Sequence, residues 1–379
     1  MTILLGLEKI KKFFSGLFFF FLPTQLAYFF WPDWSYFWGI KVDFLAPSIF
    51  LTDLILFFLF LVVVLEFFLK MPQLDFKKVF SWPVLLTIAF FLLNLSFSFL
   101  PSLSAYRLLK YLQLIFIISY FSRNFFLSLL IPLFFSLFLV SLLAWGQFLT
   151  QRSIQGIFWL AGERFFNPST LGIAKMSLSG RLFVRPMATF SHPNSLAGFL
   201  LVVLIIFWFF RRFLIKKLGG FFYLGLALMA TVLVITFSGA VWLAIFLLLM
   251  STCLIKNFTN RFLALVLTGL LLAGFAFLSF QLGLFEAASI GERFFLARNA
   301  GRLFCHRSLL GWGLGNFIPA QGQLGFSRGS FNFYQPVHNL FLLVLAEGGL
   351  LGLLCFFYWL ARWWSKVSHY WRCLFLVII

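Results

Sequence analysis

The chain has 379 residues, of which 63% are hydrophobic and only 10% are charged, and it contains 61 phenylalanines. The mean hydropathy of +1.03 excludes an ordinary soluble domain, in which about 25% of residues are charged. The formal net charge of +19 raises nucleic acid as a partner, but no nucleic-acid-binding motif accompanies the positive residues, so we expect none. The composition therefore predicts an integral membrane protein.

Apolar segments long enough to cross a bilayer follow one another along the chain. A span needs about 20 mostly apolar residues, and it must be helical because lipid offers the backbone no hydrogen-bond partners. We predict an all-α fold, a polytopic transmembrane helical bundle of about 10 to 12 spans, as one membrane domain over residues 1–379. Ten spans are placed at residues 13–30, 45–69, 83–100, 105–121, 125–149, 189–210, 220–236, 239–255, 262–280 and 338–361. An eleventh begins at Cys373.

Lysine and arginine recur on alternate short loops, for example at Lys70, Arg123 and Lys256. The positive-inside rule makes these loops cytoplasmic. The N-terminus is then cytoplasmic, and residues 13–30 form an uncleaved anchor, since no small-residue cleavage site follows. Two long segments are consequently extracytoplasmic, one at 150–189 and a larger, partly helical one at 281–337.

The larger loop contains a helical pattern followed by a glycine turn. In "SIGERFFLARNAGRLFCHRSLLGWGLGNF" the residues from Arg293 to Phe304 recur at three- and four-residue spacing, which predicts an amphipathic helix. "GWGLG" then predicts a tight turn. No strand precedes these glycines, so the pattern does not indicate a dinucleotide site.

The smaller loop ends in "RPMATFSHPNSLAGFL". Pro193 fits the start of a helix, and Asn194 and Ser195 can cap its amides. A cap does not explain Arg185 and His192, which face the same outer boundary. Arginines, a histidine and helix starts together favour an anion site, and at this depth the ligand would be a lipid diphosphate.

His338 and Asn339 stand where the larger loop enters the span at 338–361. Histidine titrates near physiological pH, so His338 could take a proton from a hydroxyl nucleophile. A lone histidine at a helix start is more often structural, and Asn339 either orients His338 or caps the helix. Glu347 lies at mid-membrane depth and needs a partner. With no HExxH motif and no outer carboxylate pair, we expect neither a metal nor another cofactor.

Other charged residues also lie within predicted spans. Arg107 and Lys110 are candidates to line a cavity, although snorkelling explains Lys110 more simply. Asp53 is expected to cap a helix or to pair with a neighbour. The four cysteines form no disulfide or metal-binding pattern.

Three stretches in this order resemble the bacterial O-antigen ligase and O-antigen polymerase family: "RPMATFSHPNSLAGFL", "RFFLARNAGRLFCHRSLLGWGLGNF" and "HNLFLLVLAEGGLLGLL". The early "GIKVDFLAPSIFLTDLIL" also looks like the second-helix region of such proteins. The resemblance implies a multi-pass glycosyltransferase of the bacterial inner membrane that uses no metal or nucleotide. Its partners would be membrane lipid, a polyprenyl (undecaprenyl) diphosphate-linked glycan donor, and the hydroxyl of a glycan, lipid or protein acceptor at the extracytoplasmic face.

The resemblance also assigns roles to residues. The family's loop histidine maps onto His338, as a general base or a positioning group for the acceptor. The loop arginine maps onto Arg293, and the arginine ahead of the proline-asparagine pair maps onto Arg185; both would hold the diphosphate. Asn339, Asn194 and Glu347 are expected to support the site.

One stretch departs from the family pattern. In "TFSGAVWLA", Gly239 stands where the family commonly has an arginine. Either another arginine, such as Arg181 or Arg107, supplies the charge at the diphosphate, or donor preference or activity is altered. The chain also stops short of the family's last helices, as a fragment would.

Several functions remain open at this stage. Ligase and polymerase share these motifs, including exopolysaccharide polymerases. A transporter or flippase for a lipid-linked sugar would require paired helices broken at mid-membrane and an internal repeat, and neither is expected from this sequence. A purely structural membrane subunit would not bring Arg185, Arg293 and His338 together.

Overall fold

The computed structural model describes residues 2–37, 39–70, 81–178, 180–245, 287–326 and 334–366. Most of these residues are helical, which confirms the predicted helical membrane protein. The helices are α1 (Thr2–Phe21), α2 (Leu51–Lys70), α3 (Trp82–Ser96), α4 (Pro101–Asn124), α5 (Leu130–Thr150), α6 (Pro193–Phe209), α7 (Arg211–Leu218), α8 (Phe221–Ile235), α9 (Ala287–His306), α10 (Phe317–Gln323) and α11 (Leu340–Lys366).

Three small antiparallel sheets of two strands each depart from the all-helical prediction. Their strands are β1 (Ala27–Phe29) with β4 (Ser48–Phe50), β2 (Tyr36–Phe37) with β3 (Ile40–Lys41), and β5 (Lys175–Leu178) with β6 (Arg181–Val184). In the last pair Lys175 faces Val184 and Leu178 faces Arg181. This hairpin gives the loop predicted at 150–189 a regular structure close to the start of α6.

Fewer helices than predicted are long and apolar enough to cross a membrane. Within the described residues three qualify, at Leu51–Lys70, Leu127–Thr150 and Leu340–Ser365. A fourth results if α6 and α7, which are bent by 84° at one residue, count as one span. Helices α3 and α8 are apolar but shorter. The described residues thus support a membrane protein with three or four such spans and not the predicted number. The span predicted at 262–280, most of the one at 239–255 and the one from Cys373 lie outside the described residues.

The span predicted at residues 13–30 is wrong in both its bounds. Helix α1 begins at Thr2 and ends at Phe21, and residues 27–29 pair with β4. Pro23 follows the last helical turn, where it cannot donate the amide hydrogen bond that would continue the helix. The aromatic run beyond it alternates outward and inward as a strand does, a pattern that a plain count of apolar residues misses.

Two apolar clusters organise the fold around the candidate site. One joins α5, α6, α7 and α8 around fully buried phenylalanines, among them Phe134, Phe207 and Phe222. The other joins α9, α10 and the beginning of α4 around Trp312 and Phe317. Helices α9 and α11 also pack directly against each other. The second cluster holds the polar contacts described next.

Candidate functional site

Helix α11 is interrupted at Gly349, whose backbone is non-helical at φ 64° and ψ −162°. The break is filled by the segment that follows α9. The amide of Leu350 donates to the carbonyl of Ser308 at 2.8 Å, and that of Leu351 donates to Leu309 at 3.1 Å. This single break was not predicted from the sequence. The amides that the break releases are paired within the same chain, as a span in lipid requires.

The glycine turn pairs with the other side of this break. The amide of Trp312 donates to the carbonyl of Ala346 at 3.1 Å, and that of Gly313 donates to Glu347 at 2.9 Å. The carbonyl groups before Gly349 and the amide groups after it are both used. The predicted tight turn is therefore confirmed, and its partner is the broken helix.

Glycine is required on both sides of this contact. The three glycines of GWGLG have φ angles of 69°, 96° and 76°, a region that other L-residues rarely adopt. A Cβ on Gly311 would lie 2.4 Å from the carbonyl carbon of Glu347, and one on Gly349 would lie 2.4 Å from the carbonyl oxygen of Leu309. The two backbones thus approach too closely for any side chain between them.

The carboxyl group of Glu347 has a partner that the sequence did not reveal. Its Oε2 accepts a hydrogen bond from the amide of Gly315 at 2.8 Å, and its Oε1 accepts one from the amide of Phe317 at 3.2 Å. The residue is only 8% exposed. Backbone amides of the turn, and not a basic side chain, therefore satisfy this buried acid.

Asn94 of α3 forms hydrogen bonds with both the glycine turn and the broken part of α11. Its Nδ2 donates to the carbonyls of Leu310 and Glu347 at 2.8 and 3.0 Å, and its Oδ1 accepts from the amide of Leu314 at 3.2 Å. Asn94 is 1% exposed. We call the contact formed by Asn94, Glu347 and the GWGLG turn the glycine-turn lock. It fixes α9, which carries Arg293, relative to α11, which begins two residues after His338.

His338 is exposed on the loop before α11. Its Nε2 donates to Oε1 of Gln335 at 3.2 Å, which leaves Nδ1 as the acceptor in the neutral ring. Partial desolvation lowers the pKa of His338, and the positive charge of Arg293 lowers it further, while Glu292 opposes both. The imidazole is therefore neutral at physiological pH and able to accept a proton.

His192 joins the same neighbourhood from the other loop. It precedes Pro193 as the cap of α6, and its Nδ1 accepts from the amide of Asn194 at 3.1 Å. The predicted caps Asn194 and Ser195 were therefore wrong by two or three positions. Desolvation lowers the pKa of His192, and the charge of Arg185 and the proximity of His338 lower it further. Sequence analysis noticed His192 but did not include it in the site.

Arg185 is held by two neutral acceptors. Its Nε donates to the carbonyl of Thr236 at 2.7 Å, and one Nη donates to Oδ1 of Asn194 at 2.6 Å. Burial lowers the pKa of Arg185, and among the described residues no carboxylate pairs with it. A guanidinium fixed by neutral groups keeps its full positive charge for an anionic ligand. Its anchor at Thr236 lies three residues before Gly239, in the stretch that departs from the family pattern.

The remaining predicted residues lie at more ordinary positions. Oδ1 of Asn339 accepts from the amide of Leu342 at 3.0 Å, so Asn339 caps α11. Arg181 is exposed on β6, and the hydrogen bonds and ion pairs of the described residues do not involve its guanidinium. Arg107 donates to the carbonyl of Phe44 and packs beside Gly315.

Asp53 both caps and pairs, as expected. It accepts from the amide of Phe50 at 2.8 Å and from Gln113 at 2.7 Å, and it forms an ion pair with Lys110. Lys110 is thus explained by pairing and not by snorkelling. The described residues bring together no group of three histidine, cysteine, aspartate or glutamate side chains that could hold a metal ion.

Positively charged and titratable side chains lie on both loops, and Arg185, Arg293 and His338 contribute to the lowered pKa values of the two histidines. A comparison with family models adds independent information, because the model for O-antigen ligase matches residues 224–357. Over this region the chain is similar to the O-antigen ligase family. The O-antigen ligase region contains α9, the glycine turn and the greater part of α11, and so includes Arg293, His338 and Glu347. The family resemblance predicted from the sequence is confirmed.

Arg185 and His192 precede the O-antigen ligase region, although His338 contributes to the lowered pKa of His192. No curated protein and no solved structure matches the chain.

Proposed function

We propose that the chain is a glycosyltransferase of the O-antigen ligase type, which moves a glycan from a polyprenyl diphosphate carrier to an acceptor hydroxyl at the extracytoplasmic face of the bacterial inner membrane. The observation that carries the proposal is the match of residues 224–357 to the O-antigen ligase family model, because this region contains Arg293 and His338. Arg293 acts on His338, and His338 and Arg185 act on His192. A structural subunit has no need to gather cationic and titratable groups in this way.

In this mechanism His338 receives the proton of the acceptor hydroxyl. Its Nε2 is engaged with Gln335, so Nδ1 accepts the proton while the acceptor oxygen attacks the anomeric carbon. The depressed pKa keeps the imidazole neutral before the reaction, as a general base requires. The bond between the anomeric carbon and the diphosphate oxygen breaks, and direct displacement inverts the configuration at that carbon.

Arg293 and Arg185 stabilise the departing diphosphate. Negative charge accumulates on the leaving group in the transition state, so fixed cations lower the barrier more than they tighten donor binding. Arg185 is suited to this role because its anchors on Asn194 and the Thr236 carbonyl set its orientation in advance. Preorganised donors need no rearrangement during the reaction.

The test is glycan transfer in membranes that carry His338→Gln, with His306→Gln as the matched control. His306 is an exposed histidine at the end of α9 with no place in the proposed chemistry. Loss of a general base lowers rates about 10²–10⁴-fold, so we expect that loss for His338→Gln alone. Wild-type transfer by His338→Gln would exclude the base role, and wild-type transfer by Arg293→Lys would exclude bidentate phosphate recognition.

Deletion of the protein in its host separates ligase from polymerase. Loss of all attached surface glycan supports the proposed ligase, whereas attached single repeat units would assign a polymerase. If the protein were a lipid-linked sugar transporter, its deletion would instead leave the donor on the cytoplasmic side of the membrane. The break in α11 does not favour a transporter, because its released carbonyl and amide groups pair with residues 308–313 of the same chain.

A further inference from the structure

The smaller loop contains a cavity of about 480 Å³ beyond the end of α5. This volume lies in the range of pockets that bind small molecules. The lining includes Arg152, Gln155, Phe165 and Asn167, none of which has a role in the proposed transfer chemistry. The proposed transfer reaction therefore leaves the purpose of this cavity unexplained.

Three side chains in the lining offer hydrogen-bond donors. Nε2 of Gln155 is buried and has no partner. Oδ1 of Asn167 already accepts from the amide and hydroxyl of Ser169 at 2.9 and 2.7 Å, which leaves its Nδ2 to donate. The guanidinium of Arg152 takes part in none of the hydrogen bonds or ion pairs of the described residues. These donors fit a ligand that is rich in acceptor oxygens.

The local charge favours a neutral ligand over an anion. Next to the cavity lies the carboxyl group of Glu163, which is only 2% exposed. Its oxygens accept from the amide of Ile154 at 2.8 Å and from the amide of Gln155 at 2.6 Å. One buried acid thus offsets the charge of Arg152, and its own oxygens are already occupied.

An aromatic ring completes the lining. Phe165 is 73% exposed, which is unusual for a side chain that gains most from burial. An apolar ring face next to amide donors suits a ligand that is apolar on one side and oxygen-rich at its edge. A sugar ring has this character, since its C–H bonds form a face and its oxygens form the rim.

The cavity is close to the proposed diphosphate site. Gln151 lies between the two lining residues Thr150 and Arg152, and its Oε1 accepts from the amide of Val184 at 2.7 Å. Val184 directly precedes Arg185. A single hydrogen bond therefore connects the wall of the cavity with the strand that delivers Arg185.

We propose that this cavity is a saccharide-binding subsite for a neutral sugar residue of the glycan. The ring packs on Phe165, and Arg152, Gln155 and Asn167 donate hydrogen bonds to its oxygens. The identity of the ligand as part of the transferred glycan rests on the proposed function, whereas binding itself does not.

The experiment titrates the full-length protein in detergent micelles with three soluble probes: maltotriose, chitotriose as an N-acetylated neutral sugar, and trigalacturonate as an acidic one. Ligand-observed NMR gives the dissociation constants. We expect at least one neutral probe to bind, and Arg152→Gln to weaken it about tenfold, the effect of a lost charge-assisted hydrogen bond. Phe165→Leu, which keeps an apolar side chain but removes the ring, should weaken it as well.

Matched controls lie in the same loop. Arg164→Gln removes a neighbouring arginine whose Nη1 lies 4.0 Å from Asp43, and Trp159→Leu removes another exposed aromatic ring; neither residue lines the cavity, so both should bind like wild type. The proposal is overturned if no neutral probe binds, if trigalacturonate binds more tightly, or if all four variants bind alike. His338→Gln should bind the probes normally and fail in transfer, so wild-type transfer by this variant together with normal binding would reject only the proposed function.

Discussion

The glycine-turn lock predicts a large loss of stability when the carboxyl group of Glu347 is removed. In Glu347→Ala the amides of Gly315 and Phe317, now bonded at 2.8 and 3.2 Å, remain buried without acceptors. Each such orphaned group costs about 1–3 kcal/mol, so we expect a loss of about 2–6 kcal/mol in the free energy of unfolding. Glu347→Gln keeps one acceptor oxygen but turns an NH₂ group towards the other amide, so it should lose about half as much.

Equilibrium unfolding of the purified protein in mixed micelles measures these losses. Glu8→Gln is the matched control, because Glu8 is half exposed and its partner Lys11, at 2.8 Å, also pairs with Glu66 at 2.6 Å. Lys11 therefore keeps a carboxylate partner in this variant, and loss of the exposed carboxylate should cost less than about 1 kcal/mol. The order of stability should be wild type and Glu8→Gln, then Glu347→Gln, then Glu347→Ala. A loss below about 1 kcal/mol in Glu347→Ala would refute the lock, since it would show that solvent or another group satisfies the two amides.

Three further outcomes follow from the site. Arg293→Gln should raise the pKa of His338, because the charge of Arg293 lowers it. His338 then becomes protonated at a higher pH, so the acidic limb of the pH–rate profile should move to higher pH. An unmoved limb would disprove the electrostatic link. Gly311→Ala should lose at least about 1–2 kcal/mol of stability from its positive φ alone, whereas Gly301→Ala in α9, with no atom near the added carbon, should be neutral or slightly stabilising in the same unfolding assay. Arg185→Lys should lower kcat for glycan transfer about tenfold or more through loss of its two-pronged anchoring, and an unchanged kcat would remove Arg185 from the mechanism.

Helices with a clear periodic pattern and turns marked by glycine were predicted well from the sequence. The helical spacing from Arg293 to Phe304 identified α9, and the glycines after it identified the turn, because both signals are local. The segment containing Glu347 was recognised as a span for the same reason. The aromatic run after Pro23 was misread, since a short apolar run looks alike in a helix and in a strand.

Contacts between distant segments could not be predicted. Nothing next to Gly349 in the sequence indicates that the turn around Gly311 lies against it, and the amide partners of Glu347 have no side-chain signature. Asn94, a polar amide in a mostly apolar helix, was a further signal for the lock that the sequence analysis did not use. The link from His192 to His338 likewise depends on how two loops meet, which no local pattern contains.

The break in α11 has a consequence for how the protein is made. A continuous helix satisfies every backbone group while it enters the bilayer, whereas a helix interrupted at Gly349 leaves polar groups exposed to lipid until the turn pairs with them. The turn lies ahead of α11 in the chain and is synthesised first. We therefore expect α11 to insert as an unbroken helix and to break at Gly349 only when the turn packs against it. The last folding step of this span then takes place inside the membrane, and the upstream turn determines where the helix breaks.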